Sequence, residues 1–277
     1  VPVITGFQGI NFENRLTTLE RGGSDASAIM IAKFFKAERC IIYTDVEGVY
    51  TTDPNLIKSA KKINKISYEE MLEMASLGAK IMQPASIQEA RLNRIEIDVR
   101  STFSKVKGTT ITKKKNIFSR NTIRGISFTK NDAKLTLIGV KDKPGVAASI
   151  FRPLYENSIN VDMVVQNISA NRRETDLTFT IKLEDLIKTR RLIENNKSIK
   201  FKKLIINKNV SKVSIIGVGM ITTPGVTYRM FKALAKKKIN IEVISTSEIK
   251  ISVLINKKNL KKSVEILHQE FKLNNNL

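Results

Sequence analysis

The sequence predicts an α/β protein in which part of a parallel-sheet sandwich is followed by two smaller, ferredoxin-like α+β domains. Three observations support this fold class. Strand-like and helix-like segments alternate up to Thr112, which is typical of a parallel sheet covered on both faces by helices. A polar, basic stretch over residues 113–122 then indicates a linker. Beyond it, one pattern of strands and helices occurs twice, as expected for tandem domains.

The first segment is built from alternating strands and helices. Val1–Gly6 and Cys40–Tyr43 are apolar and strand-like, and we expect the second to be fully buried in the sheet. Ser24–Lys36 carries apolar residues at the spacing of a helix packed on a sheet. Ser67 and Glu70 have the spacing of a capping box, which predicts a helix start. The remaining elements are a helix opened by Pro84 and a strand over Ile95–Arg100.

The second part of the chain contains an internal repeat. Lys134–Val140 (KLTLIGV) resembles Lys212–Val218 (KVSIIGV), and each copy reads strand, helix, strand, strand, helix, which is a split βαβ unit. Only the first copy has an obvious closing strand, Phe201–Ile206. We therefore expect Ile123–Phe128 to supply the missing strand to one of the copies. The predicted domains are residues 1–112, 123–209 and 210–277, with the linker at 113–122.

Composition limits the kinds of partner. The net charge is +22, but the basic residues are spread along the chain and only 113–115 and 236–238 form short clusters, so we expect no nucleic-acid partner. No apolar run approaches the ~20 residues that span a bilayer, so we expect no membrane partner. The single cysteine, Cys40, is expected to be a small core residue in a reducing, cytoplasmic setting.

The segment LERGGSDA (residues 19–26) predicts an anion-binding turn. Gly22 and Gly23 let the backbone approach a ligand closely. Ser24 or Asp25 would cap the following helix, whose N-terminal N–H groups favour a carboxylate or a phosphate. Arg21 adds a planar fork suited to a carboxylate, and Asp25 could meet an amino group. The alternative is a simple helix cap with a surface arginine.

The segment YTDVEGVYTTDP (residues 43–54) predicts a nucleotide site, because it follows an apolar strand at the edge where α/β sheets bind ligands. Thr44 and Asp45 could hydrogen-bond a ribose or a phosphate-bound metal, and Tyr50 could pack on an adenine. The Lys80 ammonium could neutralise phosphate oxygens during transfer. The alternatives are an ordinary turn and a surface lysine. His268 lies in a polar C-terminal helix, so we expect neither a triad base nor a metal site there.

These motifs resemble those of aspartate kinase over essentially the whole chain. The resemblance is strengthened by ISYEEMLEMASLGAKIMQP and, further on, by GVKDKPGVAASIF and VDMVVQNIS. Members of that family have an amino-acid-kinase domain followed by two ACT regulatory domains, so the first segment would be the C-terminal half of the kinase domain. The resemblance implies phosphoryl transfer from ATP to the side-chain carboxylate of L-aspartate. The product, 4-phospho-L-aspartate, begins lysine, threonine and methionine synthesis.

The resemblance also implies an aspartate site and a site for ATP with Mg²⁺. Asp25 and Lys80 would be the catalytic residues. Aspartate would be bound by Phe7, Arg21, Gly22, Gly23, Ser24 and Asp25. ATP with Mg²⁺ would be bound by Thr44, Asp45, Tyr50, Asp53 and Lys80, and no other metal is implied.

The paired ACT-like copies imply regulation by an effector amino acid, lysine, threonine or both, bound where ACT units pair. Asp142 or Asp162 could take the effector's ammonium group. The chain would also form a homo-oligomer through its ACT domains or associate with a full-length catalytic chain. The implied effector residues are Asp142, Gly145, Val146, Ala147, Asn160, Val161, Asp162 and Gln166, with Asn240, Ile241, Thr246, Ser247 and Glu248 from the second copy.

Three departures from the family pattern bear on activity. The phosphate-gripping segment Lys-Phe-Gly-Gly-Thr-Ser has no counterpart here, Glu20 replaces a usual glycine, and Asn55 replaces a usual arginine. We therefore expect the chain to begin midway through the kinase domain and to be unable to catalyse transfer alone. A non-catalytic, amino-acid-sensing regulatory subunit is the alternative. The retained RGGSD motif favours a piece of a catalytic chain.

Overall fold

A computed structural model describes residues 1–19, 22–79, 81–113, 122–168, 174–196 and 198–275. Glu20, Arg21 and Lys80 lie outside the described residues, as does most of the expected linker. None of the helices in these ranges is long and apolar enough to cross a membrane. The first segment contains β1 (Gln8–Ile10), β2 (Leu16–Thr18), α1 (Gly23–Phe34), β3 (Arg39–Thr44), β4 (Lys65–Ser67), α2 (Tyr68–Ser76), α3 (Pro84–Asn93), β5 (Glu96–Ser101) and β6 (Thr109–Thr112).

The first segment folds around a four-stranded sheet with the order β3-β5-β6-β4. Strands β3 and β5 are parallel, as are β4 and β6, but β5 and β6 are antiparallel. The sheet is therefore mixed rather than wholly parallel, because the short connection from β5 to β6 can only reverse the chain direction. The core contains the fully buried Ile97 and Val99 of β5 together with Ile29 of α1 and Ile87 of α3.

Strand β3 is buried on one face only, whereas the sequence predicted a fully buried strand. Cys40 and Ile42 are buried, which confirms Cys40 as a core residue, and burial raises the pKa of its thiol. Ile41 and Tyr43 are instead 41% and 61% exposed. Successive side chains of a strand point to opposite faces of the sheet. One face of β3 is therefore open in this structure.

The prediction of a strand over Val1–Gly6 is wrong. These residues are exposed and unpaired with any described strand, and β1 begins only at Gln8. Strand β1 pairs with β2 in a two-stranded ribbon that stays apart from the main sheet. Phe7 has a left-handed backbone (φ 64°), which breaks the extended run. An apolar sequence without a neighbouring strand gains no ladder of hydrogen bonds.

Other local predictions for the first segment are confirmed. Ser67 and Glu70 form a complete capping box at the start of α2. Pro84 is the first residue of α3, where its missing N–H costs nothing. The predicted strand near Ile95–Arg100 is β5, shifted by one residue.

The repeated copies share one antiparallel sheet with the order β11-β12-β10-β7-β9-β8. Helices α4 and α5 pack with the first copy's core, and α6 and α7 with the second copy's core. The elements are β7 (Gly125–Lys141), α4 (Val146–Glu156), β8 (Val161–Ile168), β9 (Glu174–Lys182), α5 (Leu186–Glu194), β10 (Lys203–Ile216), α6 (Val226–Lys236), β11 (Ile241–Thr246), β12 (Lys250–Asn256) and α7 (Leu260–Glu270).

The long strands β7 and β10 each serve both copies. The first residues of β7 pair with the end of β10, where Phe128 lies opposite Val213, and the rest of β7 pairs with the start of β10 and with β9. The prediction that Ile123–Phe128 supplies a strand to one copy is confirmed for Gly125–Phe128, and the copy is the second. The expected domain limit at residues 209 and 210 falls inside β10, because this strand is shared.

Two reciprocal ion pairs join the copies. Lys134 of the first copy lies 2.6 Å from a carboxylate oxygen of Glu242 in the second. Lys212, which occupies the position of Lys134 in the repeat, pairs with Asp162 of the first copy. Between the pairs, Met163 and its neighbours form a small apolar cluster with residues of β10, β11 and β12. The pseudo-twofold repeat therefore forms a single packed unit.

Candidate functional site

The turn before α1 requires glycine at two successive positions. Gly22 has a left-handed backbone (φ 85°), and a Cβ there would lie 1.8 Å from Cγ of Gln83. A Cβ at Gly23 would lie 2.4 Å from Cβ of Leu19. Any side chain would displace the segments packed on the turn. The first N–H groups of α1 thus lie in a backbone turn of the kind that binds anions.

Helix α1 begins one residue earlier than predicted. Gly22 is the N-cap residue, and no side chain among the described residues makes a capping hydrogen bond. The prediction that Ser24 or Asp25 caps the helix is therefore wrong, since the left-handed Gly22 already turns the chain into the helix. Ser24 is exposed in the first turn, and the N–H of Asp25 donates to the carbonyl of Gly22.

Phe7 is held against this turn by its backbone. Its N–H donates to Oγ of Ser27 at 3.0 Å, and its carbonyl accepts from the N–H of Leu19 at 3.1 Å. Its ring lies next to Gly23, because a Cβ there would be 3.2 Å from the ring. The structure therefore brings together Phe7, Gly22, Gly23 and Asp25, which are four of the residues predicted to bind aspartate.

Asp25 is half-buried beside the segment that precedes α3. Burial raises the pKa of its carboxyl group, and a hydrogen bond from the backbone N–H of Gln83 offsets part of this effect. Sequence reasoning did not name Gln83. The sequence does contain one signal for Gln83. It lies directly before Pro84, in the same motif as Lys80. The side chain of Gln83 packs against Gly22, and its backbone N–H donates a hydrogen bond to the Asp25 carboxylate.

Thr44 and Asp45 lie at the carboxyl end of β3. Oγ1 of Thr44 donates to Oδ1 of Asp45 at 3.1 Å. The carbonyl of Thr44 accepts from the N–H of Thr102 at 2.9 Å, just beyond the parallel neighbour β5. Polar groups thus gather at the ends of two parallel strands, the edge at which open α/β sheets bind ligands. Asp45 is exposed there.

Tyr50 and Asp53 lie further along the same loop. The Tyr50 hydroxyl is 3.4 Å from a carboxylate oxygen of Glu47, and burial together with this carboxylate raises the pKa of Tyr50. Oδ1 of Asp53 accepts from the N–H of Asn55 at 2.8 Å, so Asp53 organises a turn while staying exposed. Within the described ranges, no hydrogen bond or ion pair directly joins Thr44, Asp45, Tyr50 or Asp53 to the turn at α1. No group of three or more candidate metal ligands occurs in these ranges.

A cavity of about 370 Å³ lies at the turn between β7 and α4. Gly145 gives this turn a left-handed residue (φ 87°) directly before the helix. The remaining lining comes from β7, β8, β9 and α4. Five of the predicted effector residues line the cavity: Asp142, Gly145, Val146, Ala147 and Gln166.

The other predicted effector residues lie elsewhere. Asp162 is engaged in the ion pair with Lys212, and Val161 pairs with Ile181 in the sheet. The cavity lining contains residues of the first copy alone. Asn160 is exposed before β8, Asn240 precedes β11, Ile241 packs beside the second core, and Thr246, Ser247 and Glu248 lie exposed at the turn from β11 to β12.

His268 is fully buried, although its helix has a polar sequence. Leu260, Val264 and Leu267 form the apolar face of α7, and the His268 ring lies on that side. Its Nε2 atom is 2.9 Å from Oγ1 of Thr51 in the predicted nucleotide loop. Burial lowers the pKa of His268, so the neutral ring is favoured. No sequence pattern indicates this contact, since the two residues are 217 positions apart in the chain.

Comparison with known proteins agrees with this arrangement. The amino acid kinase family model matches residues 1–101, and the ACT domain model matches residues 135–196 and 213–271. The aspartate kinase of Pseudomonas fluorescens is 45% identical over 99% of this chain, and the aspartokinase of Pseudomonas aeruginosa is 44% identical over 99%. The chain spans 66% and 67% of the lengths of these two relatives.

Solved structures show the same likeness. The structure of E. coli aspartokinase III in complex with aspartate and ADP, in the R-state, matches with a TM-score of 0.81 at 28% identity. That of the same enzyme in complex with lysine and aspartate, in the T-state, matches with a TM-score of 0.76 at 28% identity. Each match covers 96% of this chain and 59% of the other. The mixed α/β segment, the paired ACT copies and these relatives together show that the chain belongs to the aspartate kinase family.

Proposed function

We propose that this chain supplies the aspartate-binding turn, the nucleotide loop and the effector site of an aspartate kinase. The observation that carries the proposal is the convergence of Phe7, Gly22, Gly23 and Asp25 at the start of α1. The relatives of this chain are named aspartate kinase or aspartokinase, and E. coli aspartokinase III has been solved in complex with aspartate and ADP. The proposed domains are a kinase segment over 1–112, a linker over 113–122 and ACT copies over 123–209 and 210–277, with the long strands β7 and β10 shared between the two copies.

The proposed reaction transfers the γ-phosphoryl group of ATP to the side-chain carboxylate of L-aspartate. A carboxylate oxygen forms a bond to the γ-phosphorus while the bond from that phosphorus to the bridging oxygen breaks. The electron pair leaves with ADP, and the product is 4-phospho-L-aspartate. Such transfer depends mainly on positioning and on stabilising charge. The aspartate supplies the nucleophile, so the protein needs none of its own.

The turn at α1 suits the amino-acid substrate. The N–H groups at the helix start and the positive end of its dipole would hold a carboxylate of aspartate, with Arg21 as a further cation. The Asp25 carboxylate would accept hydrogen bonds from the substrate ammonium. This pairing would offset the cost of keeping Asp25 ionised in its half-buried position. Phe7 and Ser24 would border the bound substrate.

The loop after β3 suits the nucleotide. Thr44 and Asp45 would bind ribose or phosphate oxygens, and the ring of Tyr50 would pack on adenine. Mg²⁺ on a nucleotide is commonly held by one or two carboxylates plus phosphates, and the exposed Asp45 and Asp53 fit that requirement. Bound Mg²⁺ would neutralise phosphate charge, as would the ammonium of Lys80.

The cavity of the first ACT copy suits an effector amino acid. The start of α4 would hold its carboxylate, and Asp142 would accept its ammonium. E. coli aspartokinase III forms a complex with lysine, so lysine is our first candidate and threonine our second. We also propose that the ACT copies mediate assembly, either with a second copy of this chain or with a full-length catalytic chain.

Thermal unfolding with ligands tests this proposal. Aspartate should raise the Tm of the 277-residue chain, because a ligand that binds only the folded state stabilises it. The Asp25→Asn variant should lose this response, while Asp53→Asn, in the nucleotide loop, should keep it. The chain alone should yield no acyl phosphate trapped by hydroxylamine, because it contains no Lys-Phe-Gly-Gly-Thr-Ser segment. An unchanged Tm with aspartate would contradict the assignment of the turn.

A further inference from the structure

The second ACT copy contacts the middle of the proposed nucleotide loop. Thr51 follows Tyr50 directly and is fully buried. Its carbonyl accepts a hydrogen bond from the N–H of Ile126 in β7 at 2.7 Å, and its N–H donates to the carbonyl of Lys61 at 2.8 Å. Strand β7 therefore fixes the backbone of the loop at this residue.

Helix α7 contacts the side chain of the same residue, whose Oγ1 also accepts a hydrogen bond from the N–H of Lys61 at 3.0 Å. Oγ1 of Thr51 lies 2.9 Å from Nε2 of His268, and both residues are fully buried. Nδ1 of His268 is buried without a hydrogen-bond partner among the described residues. The contact to Thr51 is thus the hydrogen bond that this ring makes in the described part of the chain. It joins residues that are 217 positions apart.

The far end of the loop is also part of the second copy. The turn at Asp53 leads directly to Ile57, whose N–H donates to the carbonyl of Asp53 at 3.0 Å. Ile57 is 5% exposed and belongs to the same hydrophobic core as Leu267 and Phe271. The loop is therefore fixed at Thr51 and at Ile57, and the exposed Asp53 lies between these two points.

We infer that helix α7 positions the nucleotide-binding side chains Tyr50 and Asp53, and that His268 is a positioning residue acting through Thr51. The inference rests on the proposed function, which assigns the nucleotide to this loop. Both His268 and Thr51 are buried, so their effect is on the geometry of the loop. Small displacements of positioned groups weaken ligand interactions strongly. The second copy thereby has a direct physical connection to the nucleotide site.

Three variants of the 277-residue chain test this inference. His268→Leu keeps the apolar contacts of the ring and removes its hydrogen bond. His268→Gln restores a polar group near the position of Nε2. Ser263→Ala is the matched control. Ser263 is also buried in α7, but its hydroxyl donates to the carbonyl of Asn259 at the start of the same helix and not to the loop. The readouts are the Kd for MgADP by calorimetry and the amide exchange rates of residues 50–53.

The expected result is a loss confined to His268→Leu. This variant should bind MgADP about tenfold more weakly and exchange the amides of residues 50–53 about tenfold faster, as expected for one lost buried hydrogen bond. His268→Gln should recover both values to within about threefold, and Ser263→Ala should match the wild type. If His268→Leu does not fold, His268→Met removes the same hydrogen bond with a more adaptable apolar side chain and should show the same loss.

Two results would overturn the inference. The first is wild-type amide exchange at residues 50–53 in a folded His268→Leu or His268→Met variant. The second is an equal loss in Ser263→Ala, which would show a general effect of damaging α7. Failure of the wild type to bind MgADP would instead contradict the nucleotide part of the proposed function. The exchange rates need no ligand, so they decide the positioning role separately.

Discussion

The Asp25 carboxylate lies where a charged group is costly unless it has a partner. Burial raises its pKa, and the hydrogen bond from Gln83 compensates only in part. An acid with a raised pKa in the folded state contributes stability below its unfolded pKa, and this contribution is lost as the pH rises through the folded pKa. Near neutral pH the ionised group therefore destabilises the ligand-free chain. A bound substrate ammonium would offset that cost. The destabilising charge of Asp25 is therefore explained by its proposed role in binding aspartate.

Asp25→Asn should therefore make the ligand-free chain more stable at neutral pH. We expect Tm to rise by roughly 1–2 °C, a small shift because half of the side chain remains in water. The gain should fade as the pH falls toward 3.8, the ordinary pKa of aspartate, where the native carboxyl group is also protonated. Differential scanning calorimetry at several pH values measures this. A lower Tm for the variant at neutral pH would contradict the account.

His268 should give the chain a pH dependence of the opposite sign. Burial holds its pKa below the ordinary 6.5, so the unfolded chain binds a proton that the folded chain does not. The stability from this residue is complete above pH 6.5 and falls as the pH decreases below it, by up to about 1.4 kcal/mol per pH unit. Urea unfolding of the wild type and of His268→Gln measures the difference. Parallel pH profiles would exclude this contribution of His268.

At the scale of elements, helix α2 is fixed to the second ACT copy. Glu70 completes the capping box of α2 and accepts a hydrogen bond from the N–H of Val218 at 3.1 Å. Arg124 lies 3.6 Å from the same carboxylate, and both side chains are almost fully buried. Lys250 adds an ion pair with Glu73 at 2.9 Å. The helix thus connects the ACT sheet to the segment that leads to Gln83.

Removing Arg124 should be costly because the buried Glu70 carboxylate, although still hydrogen-bonded to Ser67 and Val218, would lose its positively charged partner. We expect Arg124→Ala to lower the free energy of unfolding by about 3–5 kcal/mol. The control is Arg152→Ala, which breaks an exposed ion pair with Glu156 and should change stability by less than about 1 kcal/mol. Urea unfolding compares the two variants. Equal effects would show that burial of the Arg124 pair contributes little.

The elements also show what the sequence can predict. Capping residues act within one turn, so the start of α2 at Ser67 and of α3 at Pro84 could be predicted from local spacing. Val1–Gly6 and Cys40–Tyr43 were predicted less well, because strand formation and burial depend on which segments lie alongside. The sequence places Ile123–Phe128 as a strand, yet its pairing with β10 could be chosen only once the sheet order was known.

At the scale of the whole molecule, two proposed ligand sites lie in separate parts of the chain. The aspartate turn belongs to the first segment, and the effector cavity belongs to the first ACT copy. Motif spacing predicted the glycines of the turn, whereas the five cavity residues were nominated by the family resemblance. Spacing could not predict that Asp162 pairs with Lys212 or that His268 contacts Thr51, because both contacts depend on how distant segments pack.

In the function we propose, this chain carries an aspartate site and a distinct effector site. Calorimetric titration of the wild type, Asp25→Asn and Gln166→Ala with aspartate and with lysine or threonine tests it most directly. We expect Asp25→Asn to lose aspartate binding and keep effector binding, and Gln166→Ala to weaken effector binding about tenfold while leaving aspartate binding unchanged. Loss of both ligands in either folded variant, or binding of neither ligand by the wild type, would contradict the account.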